Sequence, residues 1–465
     1  MWPKFRARRA AALASLPIAI STAFGARSAA ADPIHPIGSL ADTKSSEAAE
    51  VRAAERALEE TVTRDALHLV AIAKSPPLRA GAHRVRSLAI AARAESSLPE
   101  PTFMADVWQV PVSRPWALGD AQMIMLSLSQ SFPAPGVLGM REEAKLHEAK
   151  AEAALVRAEA RKLVRALDQA FVDYAEATQR LEVRRRHRDV VARMLDLSRA
   201  KLAASVSVTD VAQAEVELAR ADIEIANEER AIEAARRRLN GLLAREPEAK
   251  LGPPVWEAPS TAKVPLDEIV ARADAERPEI EALESRKRAQ ELEAKAAERE
   301  ATLPSFSVTG SYFPPTGAMR EHGFGVGVSL SLPWLWGGRR DAVTAARERA
   351  RAEMANLEAE RIRVGADAAV LTTQAKRAEQ HYLLLGERAL PASLRARDAA
   401  EAGYAAGKTD LLTWLRTARA VVDVETEIVT ARASLERALF DLDFAAGGRL
   451  PRAPLADFEG AEDAR

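Results

Sequence analysis

The chain has no cysteine among its 465 residues. Disulfides, a thiolate metal site and a lipid-modified N-terminal cysteine are therefore excluded. Beyond the N-terminal segment no run of 18 apolar residues occurs, so any passage through a membrane has to be made by β-strands. Basic excess is also missing, with 66 basic against 67 acidic side chains, and nothing in that balance invites nucleic acid. There is no GxSxG, no glycine-rich phosphate loop and no HExxH. The seven histidines, His35, His68, His83, His147, His187, His322 and His381, include no pair at the i, i+4 or hairpin spacing of a metal site. Met123 and Met125 lie on one side of an expected strand and would suit a soft cation such as Cu(I), but such a pair more often lines or packs. Glu-Lys and Glu-Arg runs read as solvated helix faces. Neither a metal nor a cofactor is expected, and the chain does not read as an enzyme.

At the N-terminus Lys4, Arg6, Arg8 and Arg9 precede a mostly apolar run over 10–24 and a small-residue end, Ser28-Ala29-Ala30-Ala31. This pattern predicts a secretory signal over 1–31; a membrane anchor is disfavoured because the run is short and broken by Pro17. Cleavage there would remove five basic and no acidic side chains and take the formal charge from −1 to −6.

Two junctions organise the remainder. Over 325–332, Val326, Val328, Leu330 and Leu332 alternate with Gly325, Gly327, Ser329 and Ser331, a strand with one apolar and one small polar face. Pro333 and Gly337-Gly338 end it, and an Ala/Arg/Glu-rich helix follows. Upstream, Ile124, Leu126, Leu128 and Phe132 alternate with Met125, Ser127, Ser129 and Ser131 before Pro133, Gly136, Gly139 and another long helix. Strands are also expected over 102–110 and 305–313; in the latter Phe306, Val308 and Tyr312 share a face opposite Ser305, Ser307, Thr309 and Ser311. Leu98-Pro99 and Leu303-Pro304 precede these two strands, and the whole order of elements recurs after about 200 residues, which reads as a tandem duplication.

The long helices are expected over 141–202 and 338–401, the first about 90 Å long at 1.5 Å per residue. Leu163, Leu167, Phe171, Tyr174 and Leu181 follow seven-residue spacing, as do Val211, Ala214, Leu218, Ala221, Ile225, Ile232, Ala235 and Leu239 on the partner helix. Ala212, Ala219 and Ala226 form a second stripe beside the latter. Two stripes suit a stave with two neighbours, and an Ala-rich solvated face is the alternative. Four strands cannot close a sheet on themselves. Two chains would give eight strands and a filled interior, three would give twelve and an aqueous passage.

Three stretches, VTDVAQAEVELARADIEIANEER, SLPWLWGGRR and GYAAGKTDLLTWLRTAR in chain order, resemble the TolC family of outer-membrane efflux proteins over roughly residues 53–450. The resemblance implies a mainly α fold with a small β part: long antiparallel helices in an α-barrel, and four strands per chain in a shared trimeric β-barrel. It divides the chain into a signal (1–31), a first repeat (32–246), a Pro-rich connector in a belt around the helices (247–265), a second repeat (266–450) and a disordered tail (451–465). The expected function is a passive homotrimeric conduit in the outer membrane, its helices in the periplasm, working with a periplasmic adaptor and an inner-membrane pump. The VWQVPVSRP, QSFPAPG and GKTDLL stretches look most similar to heavy-metal efflux partners; drugs or secreted peptides are alternative cargo. A structural periplasmic coiled-coil protein or an adaptor subunit is the competing reading, disfavoured by strands set between helices.

Under the resemblance, lipid faces Ile124, Leu126, Leu128, Phe306, Val308, Tyr312, Val326, Val328 and Leu330, and Trp334 and Trp336 anchor the interface. The adaptor meets the turns at 203–210 (Ala204, Val206, Val208, Thr209, Asp210) and 403–410 (Gly403, Tyr404, Gly407, Lys408, Thr409, Asp410). Gly407 suits a positive φ, and Thr409 or Asp410 suits a helix cap. A gate aspartate pair of the family falls at Thr413 and Arg416, which puts that gate in doubt; Asp210 keeps one carboxylate nearby.

Overall fold

A computed structural model describes residues 40–110, 112–201, 208–316, 320–335 and 337–458. The expected signal over 1–31 lies outside them. In chain order the elements are α1 (Leu40–Glu60), α2 (Arg64–Lys74), α3 (Pro76–Glu95), β1 (Thr102–Trp108), β2 (Met123–Phe132), α4 (Val137–Lys201) and α5 (Val208–Leu242). They continue with β3 (Ser260–Thr261), α6 (Leu266–Glu276), α7 (Pro278–Thr302), β4 (Phe306–Phe313), β5 (Gly323–Leu330), α8 (Gly338–Leu384), α9 (Leu390–Ala405), α10 (Leu411–Ala446) and β6 (Ala453–Pro454). The fold is mainly helical with a small antiparallel sheet, as expected, and the order α3-β1-β2-α4-α5 recurs as α7-β4-β5-α8/α9-α10.

The chain divides into two compact units. The first comprises 80–156 and 278–361 and holds an antiparallel sheet in the order β1-β2-β4-β5. Its helices meet through small side chains. Val137, Ala144 and Ala151 on α4 pack against Ala296, Ala289 and Ala282 on α7. Steps of seven forward on one helix match steps of seven backward on the other, an antiparallel seam with coiled-coil spacing. Alanine at these positions lets the backbones approach closely.

The second unit takes in the described residues of 40–79, 157–277 and 362–458. One core joins Leu58, Val62, Leu67 and Val70 to Leu167, Phe171 and Tyr174 of α4 and Leu239 and Leu243. Another joins Ala368, Ala375 and Tyr382 of α8 to Ile428, Leu435, Leu439 and Leu442 of α10, with Ile269 and Leu450. The connector is threaded through these cores. Val62 bridges Pro254, the Tyr174 hydroxyl donates to the Gly252 carbonyl at 2.8 Å, and the Trp256 indole donates to Glu436 at 2.7 Å beneath the Arg432 guanidinium.

Three features differ from the sequence reading. The sequence pattern predicts one helix over about 46–74; it is interrupted at Thr61-Val62-Thr63, where three β-branched residues favour extended backbone and Val62 uses it to reach Pro254. The second long helix contains a π-helical turn, Leu385–Ala389. Pro391 cannot donate to a carbonyl one turn back, and the wide turn takes up the defect. The tail expected to be disordered from 451 is ordered through Phe458: β6 pairs with β3, and Phe458 packs on Tyr382 with ring centroids 5.4 Å apart. Apolar Leu455 and Phe458 supply the burial that the acidic composition obscured.

Asp168 of α4 holds α2 in place. Its Oδ1 accepts from Arg64 Nε at 2.9 Å and lies 2.8 Å from His68 Nε2, with the carboxylate only 8% exposed. Burial alone would raise its pKa, but the hydrogen bond and charge of His68 and the Arg64 guanidinium outweigh it, leaving the carboxyl below its ordinary value. A depressed carboxylate contributes stability above its unfolded pKa of about 4, and loses it as pH falls through the lower folded value. We therefore expect Asp168→Ala to lose about 3 kcal/mol at pH 7, because it strands Arg64, and less below pH 4. Urea unfolding across pH 3–7 reads both effects.

Candidate functional site

The sheet of the first unit is the candidate site, because its two faces are chemically opposite. Register fixes the faces. Phe103 opposes Leu128, Leu126 opposes Tyr312, Val308 opposes Val328 and Phe306 opposes Leu330. The other face pairs Thr102 with Ser129, Ser129 with Thr309, Thr309 with Gly327 and Ser307 with Ser329.

The apolar face is uncovered. Phe324 is 82% exposed, Val326 84%, Val328 69% and Phe103 69%, values that belong to surface side chains. All nine residues named above as lipid-facing share this face. Phe103, Val107, Phe132 and Phe324 join them; the last three were legible from strand period once bounds were known. The polar face is tied by hydroxyls: Ser305 to Ser331 and Ser307 to Ser329, each at 2.7 Å, and Thr309 donating to Ser129 at 2.9 Å. Met123 and Met125 lie on it, opposite Trp108 and Asp106. Among the described residues no strand pairs with the outer edge of β1 or of β5.

Where the strands meet the helices, Glu300 at the end of α7 receives Arg141 of α4 at 2.6 Å and Arg339 of α8 at 3.3 Å. These three were not foreseen from sequence, since ion pairs 159 and 39 residues apart leave no periodic signal. Trp334 follows β5 in a short helical turn and is 52% exposed; Trp336 lies outside the described residues.

The second unit holds the reversal between α9 and α10. Gly403 and Tyr404 belong to the last turn of α9, so the turn itself is shorter than 403–410 and runs over 406–410. Lys408 and Thr409 both donate to the Gly403 carbonyl. A Cβ on Gly403 would stand 2.2 Å from the Thr409 hydroxyl, which is why glycine is needed there. Gly407 has φ +70° with open space around it, a left-handed residue that reverses the chain. Asp410 caps α10 by accepting from the Thr413 amide at 2.9 Å. That hydrogen bond, with a smaller contribution from Arg416, holds its carboxyl below the ordinary value. Thr413 and Arg416 are exposed on the first two turns of α10, while Tyr404 stacks on Trp414 at 5.0 Å. In the first copy Val208, Thr209 and Asp210 are already helical, and Ala204 and Val206 lie outside the described residues. The two copies meet here: Met194, Leu195 and Ala214 cluster with Ala400, Leu411 and Trp414.

Comparison with known proteins agrees with this architecture. Residues 269–448 match the family described as outer membrane efflux protein. No curated protein sequence matches the chain. Among solved structures, CusC, described for conformational changes accompanying folding and transmembrane channel formation, is 18% identical, with a TM-score of 0.71 over 83% of this chain and 92% of its own. The outer membrane protein VceC of Vibrio cholerae is 16% identical, TM-score 0.68, over 83% and 97%. The MtrE outer membrane channel of Neisseria gonorrhoeae, in its open state, is 21% identical, TM-score 0.66, over 82% and 88%. A long-helix fold with a four-stranded sheet set between helices is shared with these outer-membrane channels, and over residues 269–448 the chain is similar to the outer membrane efflux protein family.

Proposed function

We propose that three copies of this chain form the passive outer-membrane conduit of a tripartite efflux system. The observation that carries the reading is the open two-faced sheet. Unpaired edge amides and carbonyls cost several kcal/mol each in lipid, and an uncovered apolar face is unfavourable in water. Closing twelve strands, four from each copy, pairs the edges, turns Val326, Val328 and Leu330 toward lipid and leaves Ser, Thr and Gly around an aqueous passage. Strands of 7 to 10 residues span about 23–33 Å at 3.3 Å per residue, which suits an apolar band about 25 Å tall when tilted.

The helices support the same assembly. Val216 and Ile223 on α5 and Met354, Ile362 and Val370 on α8 are more than half exposed, and the small residues Ala212 and Ala219 are exposed. These stripes are the surfaces that neighbouring staves would cover. The α9–α10 turn with its counterpart before α5 is the part we assign to the periplasmic adaptor, and the belt to the connector with its β3–β6 pair. Substrate choice rests with the inner-membrane pump, so the conduit's cargo, heavy-metal cations in the branch it most resembles, follows from the pump it serves. A soluble coiled-coil protein or an adaptor would not need a sheet with an uncovered apolar face.

In mild detergent the protein should run as a trimer by light scattering; a monodisperse monomer with its β signal intact in circular dichroism contradicts the reading. Gly407→Trp should leave the trimer folded and inserted but abolish export, by filling the open space at the turn. Normal export, or failure to assemble, removes the docking role from this turn.

A further inference from the structure

We propose that the pocket at the strand-to-helix junction binds a small oxyanion, a phosphate or carboxylate group, between Arg141 and Arg339. The pocket measures about 370 Å³ and is walled by Arg141, Glu300 and Arg339 below and by hydroxyls of the polar sheet face above. Ser131, Ser305, Ser307, Ser329 and Ser331 all line it. That volume admits a phosphate with several waters, since water takes about 30 Å³ in the liquid.

Charge and hydrogen-bond capacity both favour an anion. The lining carries two guanidiniums and one carboxylate, a net charge of +1. Of the surrounding charges, Glu298 pairs with Arg347 at 3.2 Å and Arg299 donates to the Pro135 carbonyl at 3.1 Å, while Glu293, outside the lining, shares the field of Arg141 with Lys145. Glu300 receives Arg141 on one oxygen and Arg339 on the other, so it bridges the two forks and does not meet either in bidentate fashion. A guanidinium offers five N–H donors in a planar fork that matches phosphate or carboxylate. Arg339, half exposed and held at 3.3 Å, is the more weakly engaged of the two.

The serines add neutral donors. Ser307 and Ser329 share a single 2.7 Å hydroxyl contact; two hydroxyls carry two protons and that contact uses one. Both arginines sit near helix N-termini: Arg141 follows the first turn of α4, which contains no acidic residue, and Arg339 is the second residue of α8, whose first turn carries Asp341.

That the pocket opens into a passage rests on the function proposed above; the oxyanion binding does not, and the two can fail separately. If three copies surround the passage, the sites form a ring of three at the base of the strands. Phe132 and Phe306 of the apolar face also line the pocket; we assign the ligand to free solute because the hydroxyls that line it, those of Ser131, Ser307 and Ser329 among them, lie on the polar face.

The test uses the full-length protein in phosphate-free neutral detergent, titrated with inorganic phosphate at constant ionic strength and read by ³¹P line broadening. Saturable broadening is expected. The double variant Arg141→Gln/Arg339→Gln should weaken it about tenfold or more, since hydrogen bonds to charged groups are the strong ones, and Glu300→Gln should strengthen it several-fold. Arg141→Lys/Arg339→Lys, which keeps the charge, guards against misfolding and should bind between the two. Absence of saturable broadening in the unmodified protein overturns the proposal, as does equal binding in the Gln double variant. Displacement of phosphate by phosphatidylglycerol in nanodiscs, and not by soluble carboxylates, overturns the assignment to free solute. These outcomes do not depend on whether the protein is a trimer or conducts.

Discussion

Backbone amides and carbonyls along a sheet edge must find partners wherever water is excluded, and β1 and β5 each present such an edge. The same four strands carry period-two alternation, so that one face is mainly Phe, Leu, Val and Tyr, with Gln130 and Gly310 among them, while the other is mainly Ser, Thr, Gly and Met, with Asp106, Trp108 and Phe313. A single chain can satisfy neither demand. Closure with other copies in a bilayer satisfies both together, and the surrounding helices make sense as the supports that hold four short strands in one register. Alanine seams of seven-residue spacing between α4 and α7 serve that purpose in the first unit.

The second unit is held by different means. Its seams are larger side chains, Phe171, Tyr174, Tyr382 and Leu439 among them, and its connector is pinned by polar contacts to buried groups. Asp168, Trp256 with Arg432, and the Tyr174 hydroxyl each join segments 78 or more residues apart. Such contacts fix which helices are neighbours; the heptad stripes alone would permit several pairings. The reversal at Gly407 and the cap at Asp410 are local by comparison, set within eight residues.

Local features were the most legible in the sequence. Strand alternation gave both faces of β2, β4 and β5 because each side chain's face follows from its parity, and Gly407 announced its left-handed backbone. Irregular β1 hid its alternation behind Met104 and Trp108 on the polar face. The π-helical turn before Pro391 could have been suspected, since proline inside a long helix demands some accommodation. The ordered tail could not, because Phe458 finds its partner, Tyr382, 76 residues earlier in the chain. For the same reason the Arg141–Glu300–Arg339 junction gave no sign. Contacts between residues far apart in sequence leave no period to read.

The central claim is that β1 of one copy pairs with β5 of the next. Because the chain lacks cysteine, single cysteines can be placed at successive positions of Thr102–Trp108, each combined with Val326→Cys, and oxidised in membranes. Pairing between copies predicts that at least one register gives disulfide-linked dimers and trimers, with the β1 and β5 peptides of isotopically distinct chains joined in the mass spectrum. Cross-links confined to single chains, or none in any register, would contradict the account.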